Sequence, residues 1–276
     1  MDNKNNIEKP KNWEEGAHTV EEMYEENDLS TCSIFVGGYI NFGIYNNFNK
    51  DKEMTYEERL QSEKEVYLST AKRLNINSEN TVLDVACGLG LGTILIYEDI
   101  KPKNITGIDF PNQIERAKLR LKSIKKETEP IKFVAGSATE IPFEANYFDG
   151  ITCVGGLIYF DNIKKFIQES YRVLKSNGKL SIATYLGVTE NANEKMKELI
   201  HPIKEGFEFA NDLSTIEKLL KENGFEAKFE RIGDKVFEGF NKWITQTEYK
   251  GTWSENWLKS YKDGIIDYFM IVAEKK

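Results

Sequence analysis

Histidine is almost absent: two residues, His18 and His201, in a chain of 276. Cysteine is scarce too, with Cys32, Cys87 and Cys153 widely spaced and no CxxC pair. Together these exclude a Cys/His zinc site and a disulfide framework, and no metal is expected. No apolar run approaches the roughly 20 residues that span a bilayer, so no membrane insertion is expected. The first residues, Met1-Asp2-Asn3-Lys4-Asn5-Asn6, lack the apolar stretch of an export signal, and a cytoplasmic location is expected. Basic charge is in deficit: the formal net charge is −8, which repels a phosphate backbone and argues against nucleic acid as a partner. The run Arg116 to Lys126 reads as the solvated face of a helix rather than a basic patch.

What is present is strand–helix alternation. Strands are expected at Thr81–Ala86, Asn104–Asp109, Ile131–Ala135, Phe148–Val154, Gly178–Tyr185, Glu226–Ile232 and Asp267–Glu274. Helices fall between them, at about 90–99, Pro111 to Lys126, Asn162 to Leu174 and Ser214 to Asn223. A helix over 55–74 precedes them, with Thr55 and Glu58 forming a capping box. The alternation predicts an α/β protein with a doubly wound, seven-stranded, mostly parallel sheet and an antiparallel edge strand. Four segments are expected. Residues 1–60 form an N-terminal helical or lid segment, including a short helix within the first 30. Residues 61–185 form the core, 186–213 a helical cap, and 214–276 the C-terminal part of the core.

Leu83-Asp84-Val85-Ala86-Cys87-Gly88-Leu89-Gly90-Leu91-Gly92 joins a strand to a helix through a glycine-rich turn. Glycine lets the backbone approach a ligand closely, and the free N–H groups at a helix start favour anionic groups. Asp109 ends the next strand 25 residues after Asp84. An acid there can accept hydrogen bonds from both ribose hydroxyls of a nucleotide-like cofactor. Asp84 distinguishes the kind of cofactor. An acid at a strand end disfavours a pyrophosphate and suits a cofactor with a cationic amino group.

The segment Asp84 to Gly90 resembles the first motif of class I S-adenosylmethionine (SAM)-dependent methyltransferases, an acid, any residue, then G-C-G-x-G, with Ala86 where glycine is commoner. Gly107-Ile108-Asp109-Phe110 resembles the second motif, and Ala135 to Phe143 the third, usually G-D-A-x-x-L-P-F, with Ser137 in place of the aspartate. Asn146-Tyr147-Phe148-Asp149-Gly150-Ile151 and Leu174-Lys175-Ser176-Asn177-Gly178 resemble the segments before the fourth and fifth strands. The resemblance covers roughly residues 80–185. It implies a Rossmann-like fold and SAM as cofactor, with S-adenosylhomocysteine (SAH) as product. It also assigns the cofactor contacts: Asp84, Ala86, Cys87, Gly88 and Gly90 in the turn, Asp109 on the ribose, Phe110 against the adenine, and Gln113 in the helix that follows. Ser137, Ala138 and Thr139 complete the adenine side, and Val154 lies beside the transferred methyl.

Tyr39-Ile40-Asn41-Phe42-Gly43-Ile44-Tyr45 resembles the segment ahead of the core in small-molecule methyltransferases of the sterol, tocopherol, phosphoethanolamine and natural-product groups. There it folds over SAM, so Tyr39 and Tyr45 either seal the cofactor pocket or pack as loop aromatics. Gly155 and Gly156 either make room for substrate or only form a turn. Tyr159 occupies the position where many relatives carry histidine, which removes the usual base. No catalytic residue is assigned. His201 reads as a cap residue, Phe207 and Phe209 as cap packing or cavity lining.

The expected function is in-line methyl transfer to a small-molecule acceptor of natural-product type, at carbon, nitrogen or oxygen, by a monomer or homodimer. The alternative is a phosphobase or other small-amine N-methyltransferase, which Tyr159 and the lack of a Lys/Arg cluster weaken. From a different class, a non-catalytic SAM-binding protein would keep the turn and Asp109 without turnover.

Overall fold

In the computed structural model the described residues are Val20, Glu22, 32–124 and 130–276. Apart from Val20 and Glu22, the short helix expected within the first 30 residues lies outside them, as do His18 and the last two residues of the helix expected to reach Lys126.

Seven strands form one sheet: β1 (Thr81–Val85), β2 (Asn104–Asp109), β3 (Ile131–Ala135), β4 (Phe148–Val154), β5 (Leu174–Gly187), β6 (Phe225–Arg231) and β7 (Ile266–Lys275). Their order is β3-β2-β1-β4-β5-β7-β6. Pairing is parallel from β3 through β5. The antiparallel edge comes from β7, which pairs antiparallel with both β5 and the outermost β6. The chain order reverses between β1 and β4. Ligands of such sheets bind at this kind of switch point, outside the carboxyl ends of the strands.

The helices follow from local chemistry. α1 (Tyr56–Lys72) opens with the expected capping box: Glu58 N donates to Thr55 Oγ1 at 3.2 Å, and Thr55 N to Glu58 Oε2 at 2.8 Å. α2 (Leu91–Ile100), α3 (Pro111–Ile124), α4 (Ile163–Val173) and α7 (Leu213–Glu222) flank the sheet. Two short helices, α5 (Ala192–Lys197) and α6 (His201–Lys204), lie within the segment expected as a cap, and α8 (Phe237–Ile244) and α9 (Asn256–Lys262) precede β7.

The strands are apolar on both faces because both are covered. Val82 joins one buried cluster with Ile94, Ile105 and Ile114, while its neighbour Leu83 joins another with Phe148, Phe166 and Leu180. That split is the two-residue alternation of a strand. A third cluster holds Tyr185, Phe237, Phe240 and Trp257, with Phe42 packed against it. Phe42 stacks on Phe240 at 4.4 Å between ring centroids and meets Trp257 edge-on at 5.0 Å. The glycine- and asparagine-rich loop of residues 32–48 is thereby pinned to the C-terminal part of the chain. β5 begins four residues earlier than expected, at Leu174, because Phe148 pairs with Leu174 before a register shift resumes at Gly150 and Lys179.

Candidate cofactor and acceptor site

The turn after β1 takes its shape from three left-handed residues: Ala86 (φ +58°), Gly88 (+52°) and Gly90 (+74°). Their reasons differ. A Cβ on Gly90 would stand 2.3 Å from Phe133 Cζ, so glycine there lets α2 settle against β3. A Cβ on Gly88 would meet nothing within 4 Å, because that face opens into a cavity. Ala86 adopts a conformation that L-residues rarely hold. A Cβ on Gly156 would stand 2.5 Å from Ala86 Cβ, so Gly156 makes room for this alanine.

Asp109 closes the other side of the turn. Its Oδ2 accepts from Gly88 N at 2.7 Å and its Oδ1 from Phe110 N at 2.7 Å. Desolvation pushes its carboxyl up to about 6, against the pull of these two N–H groups. Each oxygen keeps a lone pair for a further donor. The cavity, about 490 Å³, is large enough for a nucleoside-sized ligand. Ala86, Cys87 and Gly88 line it from the turn, and Asp109, Phe110 and Gln113 from β2 and the start of α3.

The chain matches the family model for a methyltransferase domain over residues 83–182. It is 29% identical over 175 residues to the demethylmenaquinone methyltransferase of Oceanobacillus iheyensis, covering 62% of this chain and 63% of that enzyme. The match thus spans just under two thirds of the relative's length. It is 25% identical to the sterol 24-C-methyltransferase of Debaryomyces hansenii, over 96% of this chain and 70% of that one. Among solved structures, a geranyl diphosphate C-methyltransferase from Streptomyces coelicolor, in complex with a diphosphate ligand and SAH, superposes with a TM-score of 0.79. It is 12% identical and covers 97% of this chain and 99% of that one, which is a likeness of fold. Residues 83–182 are similar to a methyltransferase domain.

The remaining residues of the methyltransferase domain divide into those that reach the cavity and those that do not. Ser137, Ala138, Thr139 and Val154 line it. The Ser137 hydroxyl is engaged locally, 2.8 Å from Thr139 Oγ1, and accepts from Thr139 N at 3.1 Å. Asp84 does not line the cavity. It is 1% exposed, and its carboxylate accepts from Thr93 Oγ1 at 2.6 Å and Thr152 Oγ1 at 2.8 Å. Register explains this, since Asp84 pairs with Thr152 across β1 and β4. Burial pushes its carboxyl up to about 6. Its position ties α2 and β4 to the strand end. Gly90 likewise stays behind the turn, against Phe133.

Tyr39 and Tyr45 do not line the cavity either. The Tyr39 ring packs on Tyr67 at 5.7 Å, and its neighbours Gly38 and Ile40 are the loop residues that reach the cavity. Tyr45 turns the other way: its hydroxyl accepts from Arg59 Nη1 at 2.8 Å, and its ring lies where a side chain at Gly239 would be. Both pack against α1, Tyr39 on Tyr67 and Tyr45 on the buried Arg59, with Gly239 of α8 making room for the Tyr45 ring.

Sequence reasoning missed Tyr67, Phe160 and Asp161, which line the cavity. The signal for Tyr67 was Gly92: a Cβ there would stand 2.1 Å from Tyr67 Cε1, so the ring lies flat on the first turn of α2. Gly155, Gly156, Tyr159 and Phe209 also line the cavity, whereas Phe207 is buried elsewhere. His201 sits 3.9 Å from Glu205 and away from the cavity wall. Among the described residues, no helix is long and apolar enough to cross a membrane and no three His, Cys, Asp or Glu side chains converge as a metal site.

Proposed function

We propose that the whole protein transfers the methyl group of SAM to a small, largely apolar acceptor held in this cavity. The observation that carries the reading is the continuity of one cavity from Gly88 and Asp109 to Val154, Phe160 and Phe209. The open face of Gly88 and the remaining lone pairs of Asp109 fit a ribose and its substituents. Phe110 and Ala138 offer flat contact for an adenine, with Ser137 and Thr139 at its edge. When bound, SAM supplies an electrophilic methyl on a sulfonium. The chain's own task is to align the acceptor with it and exclude water.

Cys87, Gln113 and Val154 complete the cofactor wall in this reading, and Ala86 shapes the turn beneath it. Residues 186–213 and the 32–48 loop act as cover for residues 61–185 and 214–276. An apolar, natural-product-type acceptor fits Ile40, Leu89, Phe160 and Phe209. Phosphobase methylation is the weaker alternative, because no Lys or Arg stands among the described lining residues to hold a phosphate. A cytoplasmic monomer or homodimer is consistent with the acidic, largely polar surface.

The test is calorimetric titration of the protein with SAM and SAH, beside an Asp109→Ala variant. Micromolar binding lost in the variant supports the reading. A folded wild-type protein that binds neither ligand sinks it. Binding with no turnover on phenols, amines or carbon acids favours the non-catalytic SAM-binding alternative.

A further inference from the structure

The turn after β4 faces a carbonyl oxygen of the cover loop that the cofactor reading leaves without a role. Val154, Gly155 and Gly156 line the cavity from this turn, and Gly38 and Ile40 line it from the loop. Gly155 holds φ +68°, and its N–H donates to Ala183 O at 2.9 Å, which fixes the turn to β5. A Cβ on Gly155 would have one neighbour within 4 Å among the described residues, the backbone oxygen of Ile40 at 3.7 Å. The Ile40 oxygen therefore lies over the bare face of this glycine. Contacts on either side of Ile40 hold it there. Arg59 Nη2 donates to Asn41 O at 2.8 Å and Nη1 to Phe42 O at 3.0 Å. The Asn41 amide donates to Glu63 O at 3.1 Å, and Tyr39 N donates to Val36 O at 3.2 Å. Among the described residues, no donor reaches the Ile40 oxygen itself. Backbone carbonyls withdrawn from bulk water are normally paired, so this one suits a donor carried by a ligand. A donor about 3 Å from it would be crowded by a side chain at residue 155, and glycine leaves that room.

We propose that the Ile40 oxygen accepts the N–H of a neutral aromatic amine lying over Gly155, and that this amine is the substrate methylated. The second half rests on the methyl-transfer reading above; the N–H subsite does not. A backbone carbonyl accepts a hydrogen bond but takes no proton at neutral pH, so it serves a nucleophile that needs no base. An amine is such a nucleophile: with its N–H on Ile40, its lone pair stays free. A hydroxyl held in the same way keeps its proton and stays a weak nucleophile. The rings of Tyr67, Phe160 and Phe209 on the cavity wall suit an aromatic body. The charged side chains on that wall, among the described residues, are the acids Asp109 and Asp161, which favour a cationic product over an anionic nucleophile. In the step, the nitrogen lone pair forms a bond to the methyl carbon, and the C–S bond breaks with its electron pair staying on sulfur. The positive charge passes from sulfonium to ammonium, which gives its proton to water as the product leaves. Ile40 and Gly155 orient the substrate, and neither forms or breaks a covalent bond.

The experiment is calorimetric titration of the SAH-saturated full-length protein with N-methyl-1-naphthylamine, which keeps one N–H, and with N,N-dimethyl-1-naphthylamine, which has none. Wild type should bind the first about tenfold more tightly, the preference of one hydrogen bond. Gly155→Ala should lose most of that preference and keep SAH affinity, with a melting temperature lower by a few degrees from the strain at φ +68°. Carbonyl labelling reads the contact directly. The sequence holds two Ile–Asn steps, Ile40–Asn41 and Ile76–Asn77. Protein with carbon-13 at the isoleucine carbonyl and nitrogen-15 at asparagine therefore shows these two pairs alone. The Ile40 carbonyl should move downfield with the N-methyl amine and not with the dimethyl amine, while Ile76 stays in place. Equal binding of the two amines, binding of neither, the same Ile40 shift with both, or an undiminished preference in Gly155→Ala overturns the proposal. If Gly155→Ala fails to fold, the wild-type carbonyl shift still decides it. If wild type fails to bind SAH, the methyl-transfer reading falls alone, and the same titrations of the unliganded protein decide the subsite. In turnover with SAM, N-methyl-1-naphthylamine should be methylated and 1-naphthol should not. Methylation of 1-naphthol at an equal or higher rate overturns the amine half.

Discussion

The cofactor half of the cavity and its cover are held by different kinds of bond. Around β1 and β2 the geometry is mostly backbone: Cys87 N donates to Ile108 O, Gly88 N to Asp109, and Gly90 N to Cys87 O. In the cover one side chain does the equivalent work. Arg59, fully buried, donates to the carbonyls of Ile34, Asn41 and Phe42 and to the Tyr45 hydroxyl, and pairs with the equally buried Glu63 at 2.9 Å. Glu63 in turn accepts from Val36 N at 3.1 Å. A backbone-built site needs only a short run of permissive residues. A side-chain-built cover needs a particular cation placed in α1, 14 to 25 residues beyond the loop groups it holds.

The contrast can be broken from either side. Arg59→Met should have the largest effect, lowering stability by about 3–5 kcal/mol. It strips three carbonyls of their donor and leaves Glu63 buried without its cation. Chemical denaturation measures the loss, and hydrogen exchange should place its first opening in residues 34–45. Asp109→Ala should do the reverse: a melting temperature within a few degrees of wild type, but SAH affinity weakened by about 3 kcal/mol, roughly 100-fold. If both variants lose stability and affinity together, the two halves are one cooperative unit and the contrast fails.

Acid should sharpen it. Burial raises Asp109 from 3.8 to about 6. Its carboxylate serves as a charged acceptor only when ionised, so SAH affinity should level off above about pH 7 and fall about fivefold between pH 6 and pH 5. An Asp109→Asn variant should show no such slope in a calorimetric pH series. The stability of the unliganded protein should move in the opposite sense. Asp84 and Asp109 both bind protons more tightly when folded, so their contribution is fully present below pH 3.8 and is lost as pH rises through about 6. The smallest effect belongs to Ala86→Gly. Relief of φ +58° should stabilise the protein by about 1 kcal/mol less the chain entropy that glycine adds, read as a small rise in melting temperature.

Most of the fold was legible. Strand positions follow from β-branched runs, and the glycine turn, Asp109, Phe110 and the Ser137–Thr139 segment are each consecutive, with a shape set by neighbouring residues. The glycine turn meets Asp109 because parallel pairing sets Val85 opposite Ile108, which brings Gly88 N to Asp109 Oδ2 at 2.7 Å. Less legible was the direction of a side chain. Asp84 carries the family pattern, yet the pairing of β1 with β4 turns its carboxylate to Thr152. Tyr45 belongs to a loop suited to cover a ligand, but Arg59 is a stronger partner for its hydroxyl. Tyr67 gave no sign on its own, because its partner Gly92 lies a whole strand later.

By itself the sequence determined the strand–helix rhythm, the left-handed turn and the acid beyond it, because each depends on backbone conformation within a few residues. The tertiary structure alone decided which aromatics face the cavity, where Asp84 points, and that Glu208 meets Tyr159 from 49 residues away. Those outcomes depend on which buried polar groups find partners, and that is set only when distant segments pack together.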